Sequence, residues 1–427
     1  MGENRVQLQD TAKILGLQGV EVIKTTYTTT EEATEVIIHI RPINYKKTCP
    51  YCKSAATIRN GVDGYRRIKH LKIADAQCML VVPRQRLKCK ECFGTYTYEY
   101  EFVKGKERYT RAYKTQIYRI AIGSTVLHSA ELTETPYSTA ERFFKEAVRH
   151  IAPLTVTAAQ EHANQSAKLI LGIDDFAIRK GHNYNTGIHD LRGESLLGIV
   201  KGRKLSELRT FMKANATIAG LKPHAIVMDL AKNYHTFAAE FFPDAIRVAD
   251  RFHVNRYILD ALNEIRRRVS KELAPQARLN LKRNKHLLNK RGDCLNYAEQ
   301  EQLQTILAYS FDLKAVYELK ERLIDWYDLS LNYKIAQTGY QQWCAYGYAL
   351  NIPEIDNALK TFTNWQEEIV NYHRCRFTNG IVEGRNAKIK ALQRRRFFLR
   401  NRTFYEALIF IECNFLISHS YSKLLCT

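Results

Sequence analysis

Residues 168–178 read KLILGIDDFAI, an apolar run that ends in two aspartates, and this stretch decides the fold. Its length and apolar content predict a buried central strand. A carboxylate that is left buried and unpaired at the end of such a strand costs roughly several kcal/mol. Binding to a metal ion removes that cost, so Asp174 is a candidate metal ligand.

The segments after this strand follow a regular order of strands and helices. The predicted elements are strands over 184–191 and 195–200, a helix over 205–214, a strand over 225–229, a helix over 234–242 and a strand over 245–250. Three strands followed by alternating helix and strand is the element order of a ribonuclease-H-like fold. In that fold the strand that ends in Asp229 lies beside the first strand. We therefore expect Asp174 and Asp229 to be close enough to share a Mg²⁺ ion.

A third candidate acid lies much later in the chain, after a long helical region. Residues 252–370 have helical periodicity and predict an all-helical insertion. The sequence FTNGIVEGRNAKIK (377–390) then predicts a helix that returns to the sheet. On this helix Glu383 shares a polar stripe with Asn379, Asn386 and Lys390, as expected if the Glu binds a metal ion and the Asn and Lys bind phosphates.

Taken singly, each of these acids is more often structural. Strand-end aspartates often cap helices, and any helix has exposed glutamates. Asp174, Asp229 and Glu383 together, in this element order, predict a two-metal site for in-line displacement at a phosphodiester. Water as the attacking group would give strand cleavage, and a DNA 3′-hydroxyl would give strand transfer.

The charge of the chain also points to a polyanionic partner. There are 65 Lys and Arg against 44 Asp and Glu, a formal net charge of +21. Such an excess favours phosphate contacts. A solvated helix face is the usual explanation of a basic run, but the densest one, 385–402, directly follows Glu383. This position favours phosphate binding by residues that include Lys390, Arg394 and Arg395.

Four of the ten cysteines form two CxxC pairs, Cys49 with Cys52 and Cys89 with Cys92. Two such pairs predict a structural zinc ribbon with four thiolate ligands. Before the first pair, residues 20–41 alternate apolar and polar positions around a polar centre and predict a β-hairpin. The alternative for the cysteines is a set of unrelated buried thiols.

Three short helices are predicted between residues 111 and 151. The third begins at Ser138, which would form a capping box with Glu141. This arrangement is typical of a helix-turn-helix whose last helix enters the major groove with Ser138, Arg142, Lys145 and Arg149. A small helical linker is the alternative.

Four segments together carry a resemblance to a known family: LGIDDFAIRKGHNYNT, AIVMDLAKNY, IRVADRFHVNRYILDAL and TNGIVEGRNAKIKALQRR. With the upstream cysteines and helices, the sequence resembles the DDE transposases of bacterial insertion sequences of the ISL3 family. The resemblance implies that Asp174, Asp229 and Glu383 bind Mg²⁺ or Mn²⁺. It also implies an accessory role for Asp250 and His253, either in positioning the DNA strand or in fixing the first helix of the insertion.

Two assignments have neighbours that could replace them. Only one of Asp174 and Asp175 should face the metal ions, because side chains alternate across a strand. Asp250 also ends a predicted strand and could stand in for Asp229. In both cases the resemblance favours the first-named residue.

The sequence thus predicts a multidomain α/β protein: a ribonuclease-H-like catalytic domain with an all-helical insertion, preceded by a zinc ribbon and a helix-turn-helix. The predicted domains are the hairpin and ribbon over 1–100, the helix-turn-helix over 101–160, the catalytic domain over 161–255 and 371–427, and the insertion over 256–370.

The expected partners are double-stranded DNA, both the terminal inverted repeats of the element and its target, and further copies of the chain in a homodimer or larger assembly. No membrane segment is expected. The expected location is the cytoplasm, on bacterial chromosomal DNA. A zinc-dependent DNA-binding regulator without catalysis is the alternative function.

Overall fold

The computed structural model describes residues 11–29, 34–179, 183–396 and 400–424. The chain divides into two compact units, one of Met1–Thr155 with Arg394–Thr427 and one of Val156–Gln393. This division groups residues 394–427 with the N-terminal unit, whereas the sequence analysis assigned them to the catalytic domain. Within the described ranges, no helix is both long and apolar enough to cross a membrane.

The N-terminal unit contains a five-stranded sheet. Its strands are β1 (Val20–Thr29), β2 (Thr34–Pro42), β3 (Thr57–Ile73), β4 (Ala76–Cys89) and β5 (Thr95–Thr97). Their order is β1-β2-β4-β3, with β5 also on β4. The antiparallel pairing of β1 with β2 confirms the predicted hairpin, whose turn at 30–33 lies outside the described residues. Alternating apolar side chains such as Ile38, Ile40 and Leu80 form the buried face.

Strand β3 was not predicted from the sequence. Gly61 and Gly64 have positive φ angles of 78° and 83°. They lie where the register with β4 shifts, between Arg59 and Val62 and between Val62 and Tyr65. Glycine adopts such angles without steric cost, and bulges at these points interrupt the side-chain alternation that marks a strand in sequence.

Three helices follow: α1 (Arg111–Gly123), α2 (Val126–Leu132) and α3 (Tyr137–Gln165), of which the last continues beyond Thr155, where the N-terminal unit ends. Tyr113, Ile117 and Phe143 form part of a small core between them. Tyr113 donates a hydrogen bond to the carbonyl of Thr133 in the turn between α2 and α3. Helix α3 begins one residue before Ser138, so Ser138 is a helical residue and the predicted capping box with Glu141 is wrong.

The second unit is built on a mixed sheet. Its strands are β6 (Ile170–Arg179), β7 (Asn183–Asp190), β8 (Ser195–Lys201), β9 (Ala225–Met228) and β10 (Ile246–Ala249), in the order β10-β9-β6-β7-β8. The pairs β6–β7 and β7–β8 are antiparallel, while β9 is parallel to both β6 and β10. The helices between β8 and β10 are α4 (Leu205–Ala214), α5 (Ala216–Ala219) and α6 (Lys232–Phe241). All predicted strands of this region are confirmed, with borders shifted by at most a few residues.

Every element between β10 and Asn379 is helical, as predicted for the insertion. The α-helices are α7 (Arg251–Glu272), α8 (Pro275–Arg283), α9 (Tyr297–Leu307), α10 (Phe311–Leu329), α11 (Tyr333–Ala349), α12 (Pro353–Asn364), α13 (Gln366–Val370) and α14 (Tyr372–Cys375), with 3₁₀ turns at Lys285–Asn289 and Gly292–Cys294. The buried apolar face of α7, including Ile258, Leu262 and Ile265, packs into the core of these helices.

Helix α15 (Gly380–Arg395) carries Glu383. It is followed by α16 (Arg402–Cys413) and α17 (Phe415–Leu424), which belong to the N-terminal unit. Asn401 caps α16, because its side chain accepts a hydrogen bond from the amide of Phe404.

Candidate active site and zinc centre

Asp174 and Asp229 are brought together by parallel strand pairing. Ile173 of β6 is paired with Met228 of β9, so the aspartates that follow these residues lie side by side at the same edge of the sheet. Ligand atoms of Asp174, Asp229 and His253 all lie within 4.8 Å of one another. Asp174 is only 8% exposed. Strand β6 continues through Asp174 to Arg179, so Asp174 lies within the strand, where its pairing with β9 stops, and not at the strand end as predicted. Asp174, Asp229 after β9 and the start of α7 thus form an acidic group with one histidine.

The pKa of Asp174 is shifted by burial and by a neighbouring carboxylate. Burial, and then the charge of Asp229, raises the pKa of Asp174 to about 7. Two adjacent carboxylates cannot both ionise freely in such a place. A divalent cation between them would remove this penalty, since it stabilises both negative charges.

Glu383 approaches this group from α15, across the open edge of the sheet. Partial burial raises the pKa of Glu383, and the negative charges of Asp250 and Asp229 raise it further. The side chain is otherwise exposed, and it is not a member of the tight group formed by Asp174, Asp229 and His253. The fold therefore brings all three predicted acids within electrostatic range of the same centre.

Asn386, one turn after Glu383, contacts the site directly. Its Nδ2 donates a hydrogen bond of 2.8 Å to Asp174 Oδ2. Its Oδ1 is buried and has no hydrogen-bond partner among the described residues. The sequence analysis had assigned Asn386 to phosphate binding; in the structure its amide nitrogen is already engaged by the aspartate.

Asp250 joins the two ends of the insertion. It is 1% exposed, and its Oδ1 accepts a hydrogen bond of 2.9 Å from the backbone amide of Asn379. Its Oδ2 lies 3.0 Å from His253 Nδ1. Because both carboxylate oxygens are engaged by protein atoms, Asp250 fixes the start of α15 and the first turn of α7. These contacts favour Asp229 over Asp250 as the metal ligand.

His253 lies between two acids. Its Nδ1 is 2.9 Å from Asp229 Oδ1 and 3.0 Å from Asp250 Oδ2. Burial alone would lower its pKa, but the hydrogen bonds to Asp229 and Asp250 outweigh burial and raise the pKa to about 10. The imidazole thus bonds to Asp250 and balances part of the negative charge of Asp229 and Asp250.

Asp175 has a separate set of partners on the other face of β6. It accepts hydrogen bonds from Tyr234 OH and, at 3.2 Å, from Thr186 Oγ1. Arg203 Nη1 lies 3.6 Å from its Oδ2, and the same guanidinium stacks 4.4 Å from the ring centre of Tyr184. Of the two adjacent aspartates, Asp174 is therefore the one that points toward Asp229 and α15.

Buried polar contacts hold α15 against the sheet. Arg385 Nη1 donates to His189 Nδ1 at 3.2 Å, and Gln393 Nε2 donates to the carbonyl of Ala177 at 3.1 Å. Complete burial lowers the pKa of His189 well below its ordinary value. The ring is therefore neutral and can accept the bond from arginine. Neither anchor was recognised in the sequence, where Arg385 was one cation in a basic run.

The other predicted DNA contacts lie on two helices. On α15, Lys390 and Arg394 are exposed, while Arg395 pairs with Glu412. On α3, Ser138, Arg142 and Arg149 are exposed, and Lys145 forms an ion pair of 2.9 Å with Glu141. The structure contains no DNA, and a role in DNA binding stays a prediction for all of these residues.

The four predicted zinc ligands form a compact cluster. Cys49 Sγ lies 3.6 Å from Cys92 Sγ, and Cys52 Sγ lies 3.5 Å from Cys89 Sγ. All four sulfur atoms lie within 4.8 Å of one another. A tetrahedron of zinc–sulfur bonds has an edge of about 3.8 Å. Backbone amides, chiefly that of Cys92, lower the pKa of Cys89 to about 7, which favours the thiolate that zinc binds.

Comparison with known proteins identifies the family. Residues 171–409, more than half of the chain, match the sequence model of the ISL3-type DDE family, described as transposase. Residues 46–92 match a second model, described as the zinc-finger of transposase IS204/IS1001/IS1096/IS1165. The chain is similar to the transposase for insertion sequence element IS1001 of Bordetella parapertussis, with 24% identity over 86% of this chain and 89% of that protein.

These matches cover both the acidic centre and the cysteine cluster, and they confirm the resemblance seen in the four sequence segments. They do not favour the alternative of a regulator without catalysis. DDE transposases use divalent metal ions, which agrees with the carboxylates at the sheet edge. The chain belongs to the ISL3 family of insertion-sequence DDE transposases.

Proposed function

We propose that this transposase binds the terminal inverted repeats of its own insertion sequence, and cleaves and transfers DNA strands with Asp174, Asp229 and Glu383 as ligands of Mg²⁺ or Mn²⁺. The observation that carries the proposal is the meeting of Asp174 and Asp229 where the pairing of β6 with β9 stops, in contact with the helix that bears Glu383 through the bond from Asn386 to Asp174. The order of three antiparallel strands followed by two parallel ones supports a ribonuclease-H-like catalytic domain.

The donor set fits a hard divalent cation. Carboxylate and amide oxygens are the preferred ligands of Mg²⁺ and Mn²⁺. Asn386 Oδ1, buried without a partner among the described residues, is a further oxygen at the same place. Divalent ions held here would supply activation of the attacking oxygen and charge stabilisation of the leaving oxygen.

The residues of the chain prepare this site by orientation. Asn386 fixes one oxygen of Asp174 by a hydrogen bond, and His253 lies within ion-pair distance of Asp229. Asp250 holds the backbone before Glu383 in place. In-line displacement depends on such positioning, because small misplacements of the reacting groups cost large factors in rate.

For the cysteine cluster we propose a structural Zn²⁺ ion. Four protein thiolates complete a tetrahedral site and leave no position for substrate, which is the pattern of a structural centre. The ribbon then orders the loop around the first CxxC pair and the end of β4.

For α1 to α3 we propose a helix-turn-helix that reads the terminal repeats. The four residues between α2 and α3 match the short turn of this motif, and the helices have a core of their own. The exposed Arg142 and Arg149 would then face the major groove.

The proposal is tested with DNA from the ends of the element. Sequencing of the DNA on either side of the coding region identifies matched inverted repeats, and labelled duplexes that carry these ends are then incubated with the protein and Mg²⁺. We expect cleavage at the end of the repeat, and none on a duplex with a scrambled repeat or in EDTA. Binding without cleavage in Mg²⁺ and in Mn²⁺ would contradict the proposed chemistry.

Replacement of Asn386 by alanine should weaken metal binding without abolishing the reaction. Loss of a residue that orients a metal ligand typically costs about 10- to 100-fold in metal affinity or activity. We expect Asn386→Ala to need more Mg²⁺ for half-maximal cleavage, with much of the rate recovered at high Mg²⁺. The exposed Asn289 provides a control, since Asn289→Ala should leave the Mg²⁺ titration unchanged. An Asn386→Ala titration that overlays wild type would rule out this role.

Arg149→Ala should reduce affinity for the terminal repeat by about tenfold, as expected for loss of one base or phosphate contact. The matched control is Arg119→Ala on α1, an exposed arginine on the first of the three helices. Measurements of Kd on the repeat and on a scrambled duplex separate the two kinds of contact. A base contact lowers affinity for the repeat only, and a phosphate contact lowers both. Equal effects of the two substitutions would contradict the assignment of α3 as the reading helix.

A further inference from the structure

An exposed aromatic ring lies beside the proposed metal ligands. Phe252 is the second residue of α7, and its side chain is 55% exposed. Its ring centre is 5.5 Å from that of His253, and the two rings are nearly perpendicular at 88°. His253 in turn contacts Asp229 at 2.9 Å. A single side chain therefore separates the phenyl ring from the acidic centre.

The amphipathic pattern of α7 explains why this ring is in solvent. The buried residues of the helix, Val254, Ile258, Ala261, Leu262, Ile265 and Val269, define one face. Phe252 precedes Val254 by two positions, which at about 100° per residue places the two side chains about 160° apart around the helix axis. It therefore points away from the core of the insertion. Single exposed apolar side chains are common on protein surfaces, so it is the position of Phe252 beside the proposed metal ligands that makes it a candidate binding group.

The charge of the same face identifies what could bind there. Arg256 follows Phe252 by four residues, so the two side chains are neighbours on the helix surface. Its side chain is 65% exposed, and its guanidinium makes an ion pair of 3.7 Å with the similarly exposed Asp260. Water screens an exposed ion pair of this kind, so the pairing with Asp260 holds the guanidinium of Arg256 only weakly. A ring for stacking next to a mobile cation is the composition of a surface that binds single-stranded nucleic acid.

We propose that Phe252 stacks on a base of the DNA strand next to the phosphate that is cut, while Arg256 contacts a neighbouring phosphate. The inference rests on the proposed function, since it takes the acids at the sheet edge as the place of cleavage. Where bases separate next to the cleaved phosphate, an aromatic surface that receives an unstacked base offsets part of the cost of unstacking. Phe252 is then a positioning residue for the strand, distinct from the residues that hold metal.

The test combines substitutions at Phe252 with DNA that lacks one base. Single-turnover cleavage is measured on element ends in which an abasic nucleotide replaces, one at a time, each nucleotide within a few positions of the cleavage point. We expect Phe252→Ala and Phe252→Leu to slow cleavage of intact ends by roughly 10- to 100-fold, the usual effect of losing one base-stacking contact. Phe252→Trp should retain most of the activity, because it preserves an aromatic face.

The abasic series identifies stacking specifically. When the abasic nucleotide stands at the position that stacks on Phe252, wild type and Phe252→Ala should cleave at similar rates. The base that would stack on the ring is then missing from the DNA, so removal of the ring has no further effect. At all other positions the difference between the two proteins should persist. The matched control is Phe311→Ala, since Phe311 is also in the first turn of a helix of the insertion and is 76% exposed. It should cleave every substrate as wild type does.

Each remaining outcome contradicts either the stacking role of Phe252 or the proposed function on which it rests. Failure of the wild-type protein to cut any element end, or undiminished cutting by Glu383→Gln, removes the proposed function itself. If these two proteins behave as expected and Phe252→Ala is as fast as wild type on intact ends, stacking is excluded. A uniform loss at every abasic position also excludes it. So does a change in oligomeric mass by light scattering in the folded Phe252→Ala protein, because Phe252 would then be a contact between subunits.

Discussion

Glu383→Gln protein will bind the ends of the element with nearly unchanged affinity, but its rates of cleavage and strand transfer will fall by a factor of about a thousand or more. The substitution keeps the size of the side chain and removes its negative charge. Loss of one metal ligand removes several kcal/mol of stabilisation from the transition state, and about 4 kcal/mol corresponds to a thousandfold in rate. Because Glu383 is exposed on α15 and its side chain accepts no hydrogen bond from the part of the chain that the structure describes, we expect the variant to fold normally.

The measurement is single-turnover cleavage and strand transfer on labelled ends, together with Kd from a mobility-shift assay in Ca²⁺. Glu264→Gln is a suitable control, since Glu264 is an exposed glutamate on α7 of the same unit. It should have wild-type rates. A Glu383→Gln protein that cuts within tenfold of wild type would exclude Glu383 from the metal site, and Asp174→Asn would then show whether the aspartates act without it.

Cys89→Ser protein will lose stoichiometric zinc and the folded structure of the ribbon. Binding of structural zinc contributes about 10–16 kcal/mol to the folding of small zinc domains, far more than the surrounding loops can replace. Cys89 is buried and its thiol lies 3.5 Å from that of Cys52, so a hydroxyl at this position breaks the cluster from within. We also expect chelation of the wild-type protein to have the same effect.

Two measurements test this prediction: the zinc content of the protein by mass spectrometry, and the susceptibility of residues 46–97 to limited proteolysis. Cys294→Ser is the matched control, because Cys294 is exposed and lies outside the cluster. It should keep one zinc per chain and the wild-type proteolysis pattern. Because Val156–Gln393 forms its own compact unit, the acidic centre should stay folded in Cys89→Ser. Full zinc occupancy in that variant would show that the four thiols are not the ligands.

The sequence predicted those elements whose signal is local. Strands β6, β8, β9 and β10 are short, largely apolar runs, and the helices of the insertion keep a regular apolar face, so each could be recognised by itself. Strand β3 failed this test because two glycines with positive φ interrupt its alternation. The start of α3 was misplaced because a serine followed three residues later by glutamate resembles a cap wherever it occurs.

The candidate site was predictable only as a set of residue types. Asp174 and Asp229 could be placed at strand ends, but their supporting contacts join residues that are far apart in the chain. Asn386 is 212 positions from Asp174, and Asn379 is 129 positions from Asp250. The spacing of apolar and polar residues along the sequence does not indicate contacts between residues that are so far apart in the chain. The partners of Asp175 were hidden for the same reason, since Tyr234 is 59 positions away.

The bond between Asp250 and the backbone of Asn379 has a consequence for how this enzyme can be re-engineered. The insertion leaves the sheet and returns to it at two points that a single 2.9 Å hydrogen bond connects. A segment whose ends meet can be shortened, lengthened or exchanged with little change in the scaffold that hosts it. Chimeras that graft the helical region of another transposase between His253 and Asn379 should therefore preserve the geometry of the carboxylates, provided that they retain Asp250 and His253. They must also retain the residues by which the end of the insertion bonds to the sheet domain, Glu368 to His235 and Asn371 to the carbonyl of Arg247.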